Sequence, residues 1–238
     1  MYVPRQFRET RPEILADAIR TIQLAALVTS ASGAMQVSHV PMVLKEDGAR
    51  WALETHVARA NPHWTVAGAG SSVAVFQGPQ AYVSPSWYPT KREHGKVVPT
   101  WNYVAVHVHG MLETVEDTDW LLAHLDDLTR ANEAMRDHAW KMSDAPAEFV
   151  HGLTRAIVGL RLPVGQIEGA WKMVQHRSAG DRAGTIAGLE ASENGKAVAN
   201  AMRRLEAARG NPKASIGSRE TADSNTLCGG AHLPTAAL

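Results

Sequence analysis

Cysteine is nearly absent from the sequence, which contains only Cys228, near its end. A single thiol excludes an internal disulfide framework and a thiolate zinc site. No apolar run approaches the ~20 residues of a membrane-spanning helix, and residues 1–7 lack the apolar stretch of a secretory signal. These absences predict a soluble, cytoplasmic protein without membrane contact.

An excess of either charge is absent too, because 24 Lys and Arg balance 24 Asp and Glu. No overall field therefore attracts nucleic acid, and DNA binding needs a local basic face. The best candidate is Arg203-Arg204 with Lys196 and Arg209, which is explained more simply as a solvated helix face. Patterns such as Gly-x-Ser-x-Gly and His-Glu-x-x-His are missing, so we assign no catalytic residue.

The hydrophobic fraction of 45% is sufficient for a sizeable core, and its periodicity predicts strands followed by helices. Thr10-Arg11-Pro12-Glu13 is typical of a capping box at a helix start. Three consecutive strands joined by tight turns predict an antiparallel meander. Strands are predicted over 24–30, 35–44, 50–56, 73–76, 81–83, 101–115 and 156–167, and a loop over 84–99. Helices are predicted over 11–22, 118–140, 178–189 and 194–209, with a short helix after Asn61 and two turns of helix after 144.

About six or seven antiparallel strands without βαβ alternation predict a mainly β, α+β fold, an antiparallel barrel with flanking helices. We predict a barrel domain over 1–169 and a C-terminal helical extension over 170–209 that packs on the barrel or on a partner. From 170 onward the pattern is helical. Residues 210–238 are rich in Gly, Ser, Thr and Pro, which predicts a disordered tail.

Two polar clusters follow predicted strands. Ser38-His39-Val40-Pro41 ends the second strand, and an ordinary edge histidine explains it equally well. The segment from Thr55 and His56 to Trp64 joins a strand end to a helix start. Free N–H groups at that start, with the guanidinium of Arg59, suit a phosphate, although capping alone explains Asn61.

Aromatic pairs bracket the loop over 84–99. The side chains of Trp87-Tyr88 and Trp101-Asn102-Tyr103 can form the sides of a pocket for a planar ring system. Alternatively, the tryptophans pack against the ends of the barrel. His107 and His109 share one face of a strand, which is acceptable metal-ligand spacing. Because the sequence identifies no third ligand, we predict no metal site and interpret both as solvated strand histidines.

These clusters, in this order, resemble the PaiB family of FMN-binding negative transcriptional regulators. The resemblance covers residues 1–209 and rests on Met1-Tyr2-Val3-Pro4, Ser38 to Pro41, His56 to Trp64, Phe76 to Tyr88, Val98 to Val108, and Trp171 to Arg177 leading into Asp181-Arg182. It implies an FMN-binding split β-barrel related to pyridoxamine-phosphate oxidases, which forms a homodimer with FMN between the two copies.

The resemblance also implies roles for individual residues. His56, Arg59 and Asn61 are expected near the phosphate, and Ser38, His39 and Thr55 along the flavin and its ribityl chain. The ring is expected to be bordered by Trp87, Trp101 and Asn102, while Lys172 and Gln175 reach across from the partner chain.

Three functions follow from the resemblance and the fold. The first is a flavin-dependent repressor that binds DNA. The alternative is a flavin-dependent oxidoreductase that accepts electrons from a nicotinamide or other small molecule. A haem-binding or haem-degrading split barrel, with His107, His109 or His151 as candidate ligands, ranks third.

Overall fold

Ten strands in two antiparallel sheets form the centre of the protein, whose computed structural model describes residues 1–210. The six-stranded sheet has the order β1-β10-β7-β6-β2-β3, and the four-stranded sheet the order β4-β5-β9-β8. The strands are β1 Arg8–Glu9, β2 Leu24–Ala31, β3 Ala34–Pro41, β4 Val43–Asp47, β5 Arg50–Ala58, β6 Ser71–Val83, β7 Thr100–Met111, β8 Glu113–Val115, β9 Ile157–Pro163 and β10 Gln166–Lys172.

Six α-helices and four short 3-10 helices flank the sheets. The α-helices are α1 Pro12–Ile22, α2 Thr90–His94, α3 Thr118–Glu133, α4 Ala147–Thr154, α5 Ala179–Glu190 and α6 Lys196–Gly210, and the 3-10 helices are Arg5–Phe7, Pro62–Val66, Pro85–Trp87 and Met142–Asp144. Within residues 1–210, no helix combines the length and the apolar content that crossing a bilayer requires.

The core lies between the two sheets, because alternate side chains of each strand point inward. Leu27, Phe76 and Val106 from the larger sheet and Leu53 and Leu160 from the smaller one have no exposed surface. Fully burying such side chains contributes about 1.5–3 kcal/mol each. The predicted α+β fold with antiparallel strands is confirmed.

The predicted meander is wrong in one respect, since the segment 35–44 forms two strands in different sheets. The chain changes sheets at Met42, which is buried and donates its N–H to the carbonyl of Gln23 at 2.9 Å. The segment 101–115 divides in the same way at the buried Leu112, giving β7 and β8. Apolar residues continue at every second position through the first switch, at Val40, Met42 and Leu44, so the sequence period does not reveal it. At the second switch Gly110 and Thr114 interrupt the period on either side of Leu112.

Other predicted boundaries also change. The two pieces around Gly78-Pro79 form one strand, β6, in which a bulge between Gln77 and Gln80 accommodates the extra residue. Helix α3 ends at Glu133, not near 140, and two short helices lie in the predicted loop 84–99. Residues 170–172 continue β10 because they pair with β7, so the segment is not helical from 170 onward.

The start of α1 differs from the predicted capping box. Arg11, not Thr10, is the N-cap, and its side chain makes no capping bond. The carboxylate of Glu9 accepts the backbone N–H groups of Thr10 and Arg11 at 3.0 and 2.9 Å instead. All but the first residue of the predicted disordered tail, 210–238, lies outside the described residues.

Candidate functional site

Ser38 and Asn61 meet in a buried polar network beneath β3. The Oγ of Ser38 accepts a hydrogen bond from Nδ2 of Asn61 at 3.0 Å and lies 2.9 Å from Nδ1 of His63. The other ring nitrogen of His63 lies 2.9 Å from Oγ1 of Thr29. Asn61 also caps the helix Pro62–Val66, as predicted, because its Oδ1 accepts the N–H of His63 at 3.0 Å.

Sequence reasoning missed His63, although its position two residues after an N-cap was visible. The side chain is fully buried, and burial lowers the pKa of His63, so a neutral imidazole bridges the two hydroxyl groups. The network thereby fixes the helix Pro62–Val66 onto β3.

Arg59 lies beside this network at the end of β5. Its Nε and Nη2 donate to the carbonyls of Arg155 and Ile157 at 3.1 and 3.3 Å, and Nη1 pairs with Glu116 at 2.8 Å. These bonds use three of its five N–H groups, so the exposed guanidinium retains donors for an anion. A phosphate bound here would compete with the carboxylate of Glu116.

Thr55 and His56 point to opposite sides of β5, as neighbours on a strand must. Thr55 is fully buried and donates its hydroxyl to the carbonyl of Pro41 at 2.7 Å. His56 faces α3, where its Nδ1 lies 3.1 Å from Nε2 of His124. The structure therefore separates these two predicted site residues.

The partner of His56 is the buried His124, which no motif in the sequence singles out. The ring of His124 stacks on Trp120 with ring centres 5.3 Å apart. Burial, with a smaller contribution from the charges of His56 and Lys45, lowers the pKa of His124 to about 4. Burial also lowers the pKa of His56, so both rings are neutral in the folded protein at pH 7.

We therefore expect acid to destabilise the protein through His124. Below the ordinary pKa of 6.5 the unfolded chain takes up a proton that the folded protein excludes until about pH 4. Between pH 7.5 and 4.5 this group alone should lower the unfolding free energy by about 2–3 kcal/mol. Urea unfolding at pH 7.5 and at pH 4.5 measures this change in unfolding free energy. In His124→Gln the change between the two pH values should be smaller by about 2–3 kcal/mol. The exposed His138, changed to Gln, is the control, and an unchanged difference in His124→Gln would contradict the assignment.

Trp101 and Lys172 belong to a second group, at the far end of the six-stranded sheet. The rings of Trp101 and Tyr82 meet edge to face with centres 6.2 Å apart, and both are about half exposed. Nζ of Lys172 donates to Oγ1 of Thr100 at 2.7 Å and lies 5.8 Å from the centre of the Tyr103 ring. We call Tyr82, Trp101, Tyr103 and Lys172 the aromatic ledge.

Three predicted site residues are covered by other elements. Trp87 packs against α5, where a Cβ added to Gly188 would lie 2.2 Å from its ring. Asn102 is fully buried beneath α6, with Nδ2 3.4 Å from Sδ of Met202 and Oδ1 without a partner. Gln175 holds the N-terminal segment by donating to the carbonyl of Gln6 at 3.0 Å.

His39 lies on the outer face of the six-stranded sheet, the face turned away from the core. This face carries an unusual set of exposed apolar and aromatic side chains, namely Leu24, Met35, Val37, Tyr82, Trp101 and Met111. Exposed apolar patches of this kind mark interaction surfaces.

The predicted site residues thus fall into two separate groups within one chain. We call Ser38, His39, Arg59 and Asn61 the polar corner; Ser38 and Asn61 lie in the buried network, Arg59 follows β5, and His39 lies on the outer face of β3. The aromatic ledge lies on β6, β7 and β10, and β10 is four strand spacings from β3. At about 4.8 Å per spacing the ledge extends across the sheet from roughly 10 Å from β3, at β6, to roughly 19 Å, at β10.

Comparison with known proteins identifies the family. A family model described as "Putative FMN-binding domain" matches residues 1–166. The chain is 32% identical over 195 residues to "Protease synthase and sporulation protein PAI 2" of Bacillus subtilis (strain 168), which covers 82% of this chain and 91% of that protein. A protein of Emericella nidulans, AN0679, is 30% identical over 242 residues and covers 85% and 96% of the two chains.

Solved structures show the same fold at low identity. The flavocytochrome Anf3 from Azotobacter vinelandii has a TM-score of 0.52 at 12% identity, covering 71% of this chain and 72% of that one. The FAD and heme binding protein from Mycobacterium smegmatis has a TM-score of 0.50 at 16% identity, covering 74% and 78%.

The fold and the matched domain together define an FMN-binding split-barrel flavoprotein. The chain belongs to the PaiB family within that class. FMN is its cofactor, and the predicted family, fold and cofactor are confirmed; the individual residues assigned to FMN remain predictions.

The exposed side chains of this structure fit FMN. The aromatic ledge offers open ring faces and a cation, which suit a planar ring system. The polar corner offers the N–H groups of Arg59 and the exposed ring of His39, which suit a phosphate. When bound, FMN supplies electron-transfer chemistry, whereas the protein supplies binding and orientation.

Proposed function

We propose that two copies of this chain pair through the outer face and hold FMN in two shared sites, and that this homodimer is a negative regulator of transcription. The proposal rests on one observation. The polar corner and the aromatic ledge are separate within one chain, and an exposed apolar face lies between them. A single chain offers two half-sites, and a two-fold related copy presents the complementary half to each one.

In this arrangement Arg59, His39 and Asn61 of one chain contact the phosphate, while Trp101 and Lys172 of the partner border the ring. Arg59 contributes the donors that its three internal bonds leave unused. The pairing also removes from water the apolar groups of Met35 and Val37, the most exposed part of β3. Apolar burial of this kind stabilises an interface.

The regulatory part of the proposal draws on the family. The Bacillus relative is named "Protease synthase and sporulation protein PAI 2", and the family that this chain resembles consists of negative transcriptional regulators. The predicted basic face on α6 is partly neutralised, because Arg203 pairs with Glu190 on α5. DNA affinity would therefore depend on a modest number of phosphate contacts and fall steeply with salt.

The purified protein tests this proposal directly. We expect a yellow species with a flavin absorption band, a mass twice the 25.7 kDa of one chain, and a shift of its own upstream DNA at low salt. Gel shifts with FMN-loaded and FMN-free protein show whether the flavin sets DNA affinity. A yellow dimer that binds no DNA in either state would refute regulation. If a reduced nicotinamide bleaches the flavin and an acceptor restores it, the oxidoreductase alternative takes its place.

A further inference from the structure

Three potential metal ligands converge on the outer face, away from the aromatic ledge. His107 and His109 lie on β7 and point to the same side, and β10 places Glu168 directly opposite His107. One ligand atom from each of the three side chains lies within 4.8 Å of the other two. Nε2 of His109 is 3.0 Å from Oε2 of Glu168, and the imidazole ring centres are 6.2 Å apart.

The two strands hold these side chains in a fixed arrangement. Residues directly opposite in an antiparallel pair have Cβ atoms about 4.5–5.5 Å apart, so the pairing of His107 with Glu168 is set by the backbone. On the other side of β7, Val75 pairs with His107 and Val73 with His109. The cluster therefore has apolar neighbours, and all three ligands are partly buried. An apolar surround limits access of water to a metal site.

We propose that His107, His109 and Glu168 form a binding site for one divalent transition-metal ion of the Zn²⁺ type. Two imidazoles and one carboxylate are the protein ligands of open zinc sites, in which a fourth position holds water or another ligand. Imidazole nitrogen favours Zn²⁺, Co²⁺ or Ni²⁺ over Mg²⁺ and Ca²⁺, which prefer all-oxygen sites. The sequence predicted no metal because it showed only two ligands; the third lies 59 residues beyond His109.

The α-amino group of Met1 also contacts this cluster, with its nitrogen 2.6 Å from Oε2 of Glu168. Two positive charges repel strongly when they share one carboxylate oxygen. A bound metal ion therefore displaces the ammonium group from Glu168. All three ligands belong to one chain and none of them is assigned to FMN, so loss of metal binding and loss of FMN binding are separate results.

Cobalt provides the test because its visible spectrum reports coordination. The FMN-loaded protein, stripped of metal by a chelator, should bind about one Co²⁺ per chain, with new visible bands that Zn²⁺ abolishes and Mg²⁺ leaves unchanged. Since the flavin absorbs in the same region, difference spectra and calorimetry are recorded together. His107→Gln, His109→Gln and Glu168→Gln should each weaken Co²⁺ binding at least about tenfold.

His138→Gln is the control, because it removes an exposed histidine that belongs neither to this cluster nor to the proposed FMN site. Circular dichroism and flavin content establish that every variant is folded. Absence of saturable Co²⁺ and Zn²⁺ binding at 100-micromolar-scale concentrations (about 5 kcal/mol of affinity) would overturn the proposal. Equal binding by the three ligand variants and His138→Gln would overturn it as well.

Discussion

A heterodimer of an Arg59→Ala chain and a Lys172→Ala chain is expected to recover FMN binding that neither variant shows alone. Each substitution removes one charged donor, a loss of about 1.5–3 kcal/mol, so each homodimer should bind FMN at least about tenfold more weakly. In the heterodimer one site receives both intact halves and the other receives both defects. With the chains carrying different tags, the purified heterodimer should contain about half the FMN of the wild-type dimer.

The decisive control pairs two defects in the same half-site. A heterodimer of Arg59→Ala and His39→Ala chains has a damaged polar corner in both sites, so its FMN content should stay as low as that of the parents. If the Arg59→Ala and Lys172→Ala heterodimer also fails to recover flavin, both halves act within one chain or one of the residues does not bind FMN. Either result contradicts the shared site.

The sequence predicts local structure well where one short segment contains the whole signal. Asn61 caps the helix Pro62–Val66, and Ser178 caps α5 by accepting the N–H of Asp181 at 3.1 Å. In both cases a polar side chain precedes the first turn and satisfies a free N–H group. The strand switch at Met42 was missed because the alternating pattern continues unchanged when the strand passes from one sheet to the other, whereas the switch at Leu112 was missed although Gly110 and Thr114 interrupt the pattern.

Contacts between distant segments of the site could not be predicted from the sequence. Ser38 and Asn61 were selected separately, and the structure joins them through one hydrogen bond at 3.0 Å. Glu168 had no local pattern that linked it to His109, because only the pairing of β7 with β10 brings them together. The contact of Trp87 with α5, which follows it by about a hundred residues, likewise has no local sign in the sequence.

The packing of α5 on Trp87 leads to the second large effect, a loss of stability from adding one methyl group. A Cβ at Gly188 would lie 2.2 Å from Cδ2 of Trp87, and a Cβ at Gly184 would lie 2.1 Å from the Trp87 carbonyl oxygen. Both distances are far inside van der Waals contact. Overpacking of this kind costs about 1–3 kcal/mol, so Gly188→Ala and Gly184→Ala should each lower the unfolding free energy by that amount despite alanine's better helix propensity.

The two clashes differ in what can relieve them. In a Trp87→Leu background the large ring is gone, so Gly188→Ala should become neutral or stabilising, whereas Gly184→Ala should stay destabilising because it meets backbone. Gly180→Ala, on the same helix, has its nearest neighbour at an ordinary 3.7 Å and should gain up to about 1 kcal/mol from helix propensity. Urea unfolding of these variants forms a double-mutant cycle. Equal losses for Gly188→Ala in both backgrounds would mean that the ring does not support α5.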